Sequence, residues 1–298
     1  MPPLQRVLAA TDLSAPARRA AERAALLCKE TSAALDLLHV ANLAPLERLR
    51  QFMAATPEAL RQRVLEAAQH KLRELVDLLQ TRFGVAAHTH LVTGVLTTEL
   101  AHQVRSLQAD LLVCGARGES VVRHLLMGTT ALRVLSSTPC PVLVVKQAPH
   151  EPYRRVLVPV DFSAASLPAM ALARRIAPGA ELVLLHAFEV PFEGHLRYAS
   201  VDEDTISHYR VVARQEATEK LQALCQAAAL APEDCHTIVQ YGDAAVRIID
   251  QEQELDCDLI VMGKHGESAL ENLLLGSVTK HVLAEGSADV LVSTARAV

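Results

Sequence analysis

Residues 110–120 read Asp-Leu-Leu-Val-Cys-Gly-Ala-Arg-Gly-Glu-Ser, and residues 258–268 read Asp-Leu-Ile-Val-Met-Gly-Lys-His-Gly-Glu-Ser. In each stretch a run of apolar residues leads into a glycine, which is typical of a short buried strand followed by a tight turn. The two stretches are closely matched, and 148 residues separate Gly115 from Gly263. A repeat of so long a period indicates two duplicated domains rather than a solenoid of short repeats.

The repeat continues on both sides of these stretches at nearly the same spacing. Residues 6–14 read Arg-Val-Leu-Ala-Ala-Thr-Asp-Leu-Ser and residues 155–163 read Arg-Val-Leu-Val-Pro-Val-Asp-Phe-Ser, an offset of 149 residues. A chain of 298 residues is long enough for two domains of ordinary size. Two prolines and several polar residues interrupt the pattern at 148–153, where we place the boundary. The sequence therefore predicts one domain over residues 1–148 and a second over 153–298.

Each half alternates short apolar runs, typical of buried parallel strands, with helical patterns. We predict five strands in each half, at residues 7–10, 35–40, 88–92, 111–114, 142–145, 156–160, 182–187, 236–240, 259–262 and 290–293. In the first half, the helices are predicted from the N-cap Ser14 to about Lys29, from Pro57 to Gly84, over 97–107 and before Pro139. The longest of them has one apolar face, formed by Leu60, Val64, Ala68, Leu72, Leu75 and Leu79.

This alternation decides the expected fold class. Strands separated by helices imply a parallel sheet that is covered on both faces. Because crossovers between parallel strands are right-handed, the topology is restricted to a doubly wound sandwich. We therefore expect an α/β protein made of two tandem doubly wound sandwiches, each with a five-stranded parallel sheet.

The composition excludes several classes of function. Lys and Arg number 29 against 34 Asp and Glu, and this net charge of -5 argues against a dedicated binder of nucleic acid or of anionic membranes. Aromatic residues make up 3% of the chain and Trp is absent, so a stacking platform for single strands is not expected. No apolar run approaches the ~20 residues of a membrane helix, and the N-terminus does not read as a signal peptide. We expect a cytoplasmic protein whose six cysteines, which include no CxxC pair, are reduced thiols.

Glycines follow the fourth predicted strand of each half in a repeated pattern. The pattern G-x2-G-x9-G-[ST] occurs at Gly115, Gly118, Gly128 and Thr129, and again at Gly263, Gly266, Gly276 and Ser277. Ligands of open α/β sheets bind beyond the carboxyl ends of the strands. Glycines at that position let backbone N–H groups approach an anion, and the Thr or Ser stands where a helix begins. The duplicated pattern favours phosphate binding in at least one half over the alternative of plain tight turns.

With these motifs the chain resembles a tandem universal stress protein, that is, two UspA-like domains of the ATP-binding branch. The resemblance covers nearly the whole chain and rests on the glycine pattern, on Asp12 and Asp161 after the first strand of each half, and on the Pro-Cys-Pro-Val of 139–142. It implies a Rossmann-like fold, similar to the adenine nucleotide alpha hydrolases, with the two domains packed as a pseudo-twofold pair through their fifth strands. It also implies binding of ATP, with Mg²⁺ as an accompanying ion, and a regulatory role in the stress response through an unidentified protein partner.

The resemblance also assigns positions that contact the nucleotide. It places Asp12 and Asp161 near the adenosine, and backbone groups of Val40 and Ala187 at the adenine. Contacts to the phosphates are expected from the glycines of the two motifs and from Thr129, Thr130, Ser277 and Val278. The glycine loops also contain Arg117 and His265, each of which could touch phosphate or lie in solvent.

Chemistry beyond binding has less support in the sequence. No residue set supplies an obvious general base with an orienting group, and neither a G-x-S-x-G elbow nor a Walker A loop occurs. An enzyme is therefore the weaker alternative: a slow ATP hydrolase, or a protein that phosphorylates itself on Thr129 or Ser277. A third alternative is a dimerising scaffold whose sites are empty or hold another ligand, and a homodimer of the whole chain is left open.

The other polar residues that the sequence singles out are interpreted structurally. His88 and His90 alternate on a predicted strand but lack a third metal ligand, so we expect an ordinary exposed pair. His39 and His186 end matching strands, which suggests a shared hydrogen bond. Asp289 stands where the first half has a proline, and we expect this change to affect the pairing of the fifth strand more than the ligand site.

Overall fold

The structure, a computed structural model, describes residues 3–44, 57–116, 129–190, 193–231, 234–264 and 275–293. The chain divides into two compact units. Unit 1 comprises Met1–Pro152 together with the carboxy-terminal strand, and unit 2 comprises Tyr153–Ala288.

Strands and helices alternate along both units. Unit 1 contains β1 (Arg6–Ala10), α1 (Ala15–Thr31), β2 (Ala34–Ala41), α2 (Pro57–Phe83), β3 (Ala87–Thr93), α3 (Leu96–Ser106), β4 (Leu111–Gly115), α4 (Thr129–Ser137) and β5 (Val142–Val145). Unit 2 contains β6 (Arg155–Pro159), α5 (Ser166–Ile176), β7 (Glu181–Phe188), α6 (Glu193–Tyr198), α7 (Glu203–Ala227), β8 (Cys235–Tyr241), α8 (Ala244–Glu254), β9 (Leu259–Gly263) and α9 (Ser277–Glu285). The last strand is β10 (Asp289–Ser293). Every predicted strand is present, whereas the short helix α6 has no predicted counterpart.

The strand order within each unit is doubly wound. In unit 1 the order is β3-β2-β1-β4-β5-β10, and β1 to β5 are parallel. In unit 2 the order is β9-β6-β7-β8, again parallel. Each half therefore starts in the interior of a sheet and winds outward in both directions. The strand order reverses between β1 and β4 and between β6 and β9, and such switch points are where this class of fold binds ligands.

The outermost strand of unit 1 comes from the end of the chain. β10 runs antiparallel to β5, with Val290 opposite Val144 and Leu291 opposite Leu143, and these four side chains are fully buried. The apolar fifth strands of the two sequence repeats therefore cover each other. The sequence pattern counts β10 as the fifth strand of the second half, but its packing assigns it to unit 1.

A buried aspartate fixes β10 in this position. Asp289 is fully buried, and its Oδ1 accepts hydrogen bonds from the backbone N–H groups of Lys146 and Gln147, at 2.7 and 3.0 Å. Its Oδ2 lies 3.3 Å from Nε of Arg23 in α1, and Nη1 of Arg23 donates to the backbone oxygen of Glu151. A buried carboxylate needs such partners. The aspartate that replaces a proline of the first half therefore acts on strand pairing.

The helices begin and end near the predicted signals. Ser14 caps α1 by accepting a hydrogen bond from the N–H of Ala17. The α2 helix buries Ala68, Leu72, Leu75 and Leu79 of its predicted apolar face, whereas Val64 nearer its start is 36% exposed. Because most helical stability comes from packing of the apolar face, the second half of α2 holds this helix on the sheet.

Candidate functional site

A cavity lies at the carboxyl ends of three strands of unit 2. It has a volume of about 170 Å³ and is bordered by β6, β7 and β9, by α5 and α8, and by the first turn of α9. This is the switch point of the unit 2 sheet. Among the residues predicted to contact a nucleotide, the cavity is lined by Asp161, Ala187, Gly263, Gly276, Ser277 and Val278.

The inner walls of the cavity are apolar and mostly made of small side chains. Helix α5 contributes its N-cap Ala165 and Ala169, and helix α8 contributes Ala244 and Ile248. These positions were not predicted, because neither helix carries a motif and the residues come together only by packing on the sheet. A cavity of this volume accommodates a group about the size of one aromatic ring.

Asp161 follows β6 and lines the cavity as part of a tight turn. Its Oδ1 accepts hydrogen bonds from the N–H of Ser163 at 3.0 Å and from Oγ of Ser166 at 3.2 Å. Phe162 has a φ of 61°, a left-handed conformation that bulky residues rarely adopt. The turn therefore fixes the direction of the Asp161 carboxylate at a cost in backbone strain.

Unit 1 repeats this turn after β1. The Oδ1 of Asp12 accepts a hydrogen bond from the N–H of Ser14 at 3.0 Å, and Leu13 has a φ of 66°. Ala17 stands where unit 2 has Ser166, so the second hydrogen bond of the unit 2 turn has no equivalent from this position. Both aspartates are turn residues, and Asp161 lines the cavity as well.

The amino end of α9 closes one side of the cavity. Gly276 is its N-cap, with φ −58° and ψ 153°, and the N–H of Gly276 donates to the backbone oxygen of Lys264 at 3.0 Å. Oγ1 of Thr279 donates to the backbone oxygen of Gly263 at 3.2 Å, which ties the helix to the end of β9. The first N–H groups of a helix have no acceptor within the helix, and Ser277 and Val278, whose N–H groups belong to this first turn, line the cavity. Gly276 lies outside the left-handed region, and its backbone is unstrained.

A histidine follows the apolar part of β7 beside the cavity. Nδ1 of His186 lies 2.8 Å from the backbone oxygen of Val160, and its ring stacks on Phe162 with the centroids 4.3 Å apart. Because a carbonyl only accepts, Nδ1 carries the proton. Burial lowers the pKa of His186, an effect that the hydrogen bond to Val160 partly offsets. His39 makes the same bond to the backbone oxygen of Thr11 at 2.8 Å, as the repeated sequence suggests.

The sequence and the fold are similar to those of known proteins. The model of the universal stress protein family matches residues 3–146 and again residues 152–294. The chain belongs to the universal stress protein family. It is 25% identical to a universal stress protein of Mycolicibacterium smegmatis over 96% of each chain. It is 29% identical to one from Methanocaldococcus jannaschii over 49% of this chain and 85% of the relative. A solved universal stress protein from Archaeoglobus fulgidus has the same fold, with a TM-score of 0.72, 20% identity and 97% coverage of each chain.

The remaining predicted site residues of this universal stress protein lie in unit 1 or outside the described residues. Val40 is half-buried near the end of β2, Gly115 ends β4, and Thr129 and Thr130 begin α4. Five further predicted residues lie outside the described part of the chain: Arg117, Gly118, Gly128, His265 and Gly266. The structure therefore brings together those predicted positions of unit 2 that it describes, while their contact with a nucleotide stays a prediction.

The described part of the chain shows neither a metal site nor a membrane span. It contains no group of three or more His, Cys, Asp or Glu side chains arranged to hold a metal ion. His90 instead pairs with the buried Asp36, its Nε2 lying 2.7 Å from Oδ1. Over the same residues, no helix is long and apolar enough to span a membrane.

Proposed function

We propose that this universal stress protein binds an adenine nucleotide in unit 2 and acts as a cytoplasmic regulatory module of the stress response. The ligand we propose is ATP with Mg²⁺, and the bound state is read by a protein partner. The observation that carries this proposal is the cavity at the β6–β9 switch point, which has an apolar interior, a fixed carboxylate and a helix amino end on its walls.

The apolar interior suits the base of the nucleotide. Ala165, Ala169 and Ala244 leave room for a group about the size of one aromatic ring, and Ile248 gives it an apolar face. The rest of the ligand would then extend over the strand ends. The carboxylate of Asp161, oriented by Ser163, is placed to accept hydrogen bonds from ribose hydroxyls.

The phosphates are proposed to lie at the amino end of α9. The N–H groups of the first turn, which have no acceptor within the helix, and the positive end of the helix dipole both favour an anion there. Ser277 adds a hydroxyl, and Lys264 follows β9 at the same edge of the sheet. Mg²⁺, when bound, would neutralise phosphate charge and take most of its ligands from phosphate and water, as it prefers.

Unit 2 is a better candidate than unit 1 because the side chains that line its cavity are smaller than those at the matching positions of unit 1. Unit 1 has Val40 at the position of Ala187 and Leu96 at the position of Ala244. It also has Ala131 in place of Thr279, so the hydroxyl that bonds the end of β9 in unit 2 has no counterpart there.

Binding without turnover is favoured by the residues present. Asp161 is the one ionisable side chain among the described residues that line the cavity, and its Oδ1 already accepts two hydrogen bonds. A general base needs to reach the proton that it removes. The alternative is slow hydrolysis or phosphorylation of Ser277, and labelled ATP separates the two. Intact ATP that stays on the protein after incubation supports binding without turnover, whereas free phosphate or labelled protein supports the enzymatic alternative.

Calorimetry on matched cavity variants tests the location. We expect one ATP per chain, bound at least tenfold more tightly than adenosine, and a weaker affinity for ATP when Mg²⁺ is chelated. Ala244→Leu copies the unit 1 residue and should fill the cavity and abolish binding. Leu96→Ala, its counterpart in unit 1, should leave the affinity unchanged. Wild-type binding by a folded Ala244→Leu protein would place the ligand elsewhere.

A further inference from the structure

Two cysteine side chains meet at the edge of unit 2 opposite to the cavity. Sγ of Cys225, near the end of α7, lies 3.9 Å from Sγ of Cys235, the first residue of β8. Both are half-buried, whereas the other four cysteines are fully enclosed: Cys28, Cys114, Cys140 and Cys257. No sequence motif marks this pair, because the two cysteines are ten positions apart and do not form a CxxC motif.

One cysteine of the pair, Cys235, lies on the wall of a surface cleft. Cys235 lines an open cleft of about 570 Å³ together with Arg174, Glu181, Asp234 and His236. The cleft lies where β7 and β8 begin, whereas the candidate nucleotide cavity lies where β6, β7 and β9 end. The two sites therefore lie at opposite ends of the strands of the same sheet.

We propose that Cys225 and Cys235 form a dithiol that a small-molecule disulfide oxidises reversibly to an intramolecular disulfide. In the first step Sγ of Cys235, as thiolate, attacks one sulfur of the small disulfide RSSR and releases RS⁻. Sγ of Cys225 then attacks the sulfur of Cys235 in the mixed disulfide and releases the second RS⁻. The two thiol protons end on the two leaving groups, so the dithiol and RSSR give the protein disulfide and two RSH.

The surroundings of the two sulfurs assign the order of attack. Cys235 lines the cleft and is the thiol that an incoming disulfide meets. Burial raises the pKa of the Cys225 thiol to about 11, with the charge of the neighbouring Cys235 as the second cause. Cys225 is therefore the resolving residue, which reacts only once its neighbour carries the mixed disulfide. The distance between the two sulfurs has to shorten from 3.9 Å to the about 2.05 Å of a disulfide when the bond forms.

The disulfide would link the outermost strand of unit 2 covalently to the helix that precedes it. β8 is the outermost strand of the unit, and the bond would tie its first residue to α7 across a closed loop of about ten residues. Cross-linking a loop of this length should raise the Tm of unit 2 by about 5–10 °C. Nucleotide affinity should not change, because the cavity lies at the other end of the strands.

Thiol counting on the full chain tests the proposal. The reduced protein is incubated with excess oxidised glutathione, quenched in acid, and alkylated in denaturant. We expect the number of alkylated cysteines to fall from six to four, with Cys225 and Cys235 joined in one peptide pair. Treatment with dithiothreitol should restore six. Six alkylated cysteines without that treatment, a bond between other cysteines, or failure of dithiothreitol to reverse the change would each overturn the proposal.

Two variants test whether the oxidation is specific to this pair of cysteines or occurs at any cysteine of the protein. Cys225→Ser should stop at a mixed disulfide between glutathione and Cys235, because the resolving sulfur is missing. Cys140→Ser, a matched change at a buried cysteine, should still form the bond. A mixed disulfide that persists on Cys235 of the wild-type chain would also overturn the proposal, since it would show that Cys225 does not reach it.

Discussion

At the scale of single residues, Gly276 is where the candidate site is most easily tested. Its φ of −58° is open to any residue, so a side chain there should cost at most about 1 kcal/mol through the weaker N-cap. The added Cβ would nevertheless stand where phosphate must approach the first turn of α9. We expect Gly276→Val to lower ATP affinity at least tenfold, which is about 1.4 kcal/mol, while adenosine binding changes less.

The control for this variant is Gly179→Ala. An added Cβ at Gly179 meets no atom within 4 Å, and the residue lies far from the cavity. Calorimetry and thermal melting on the same samples separate binding from stability. A folded Gly276→Val protein with the ATP affinity of the wild type would show that α9 does not hold the phosphates.

His186 gives a prediction about pH. Burial lowers its pKa from the ordinary 6.5, so the folded state disfavours the charged ring. Its contribution to stability is full above pH 6.5 and is lost as the pH falls, because the unfolded chain takes up the proton first. His186→Asn keeps a donor for the backbone oxygen of Val160 but cannot be protonated.

The measurement is the urea midpoint of both proteins at about pH 7.5 and pH 5.5. The advantage of the wild type over His186→Asn should shrink at the lower pH. His208→Asn, a change at an exposed position of α7, should show no such convergence. An advantage that stays constant across this range would refute the role assigned to His186.

At the scale of elements, the fixing of β10 depends on Asp289. Asp289→Ala removes an acceptor from the N–H groups of Lys146 and Gln147 and a counter-charge from the buried Arg23. Breaking a buried pair in this way should lower the free energy of unfolding of unit 1 by about 3–5 kcal/mol. Asp289→Asn keeps an acceptor oxygen and should lose less.

In urea unfolding, the wild type should therefore be the most stable of the three proteins, the Asn variant intermediate and the Ala variant the least stable. Both variants should keep the wild-type affinity for ATP, since the cavity lies in unit 2. An Ala variant as stable as the wild type would mean that the apolar pairing of β5 and β10 alone holds the strand.

At the scale of the whole molecule, a ligand held by one unit should stabilise that unit alone. At a free ATP concentration about 100 times the Kd, linkage adds about 2.7 kcal/mol to unit 2. We expect its melting transition to rise by about 5–10 °C while that of unit 1 stays in place. Calorimetric scans with and without ATP measure this directly, and equal shifts in both transitions would indicate a nucleotide in each unit.

The sequence by itself determined the duplication, the class of fold and the positions of the strands. Buried parallel strands consist of short apolar runs, and the glycines that follow them indicate turns, so both signals are local. The aspartates after β1 and β6 and the first residues of α9 were found for the same reason. The repeated His39 and His186 also indicated a hydrogen bond before any partner was known.

Only the tertiary structure decided which residues share a site. Ala165, Ala244 and Ile248 line the cavity from helices that carry no motif, because packing on the sheet and not local pattern places them there. The assignment of β10 to unit 1 likewise depends on an antiparallel partner far away in the chain. Cys225 and Cys235 meet because the end of α7 packs beside the start of β8. A contact between separate elements depends on how they are packed, and a linear pattern of residue types does not record that geometry.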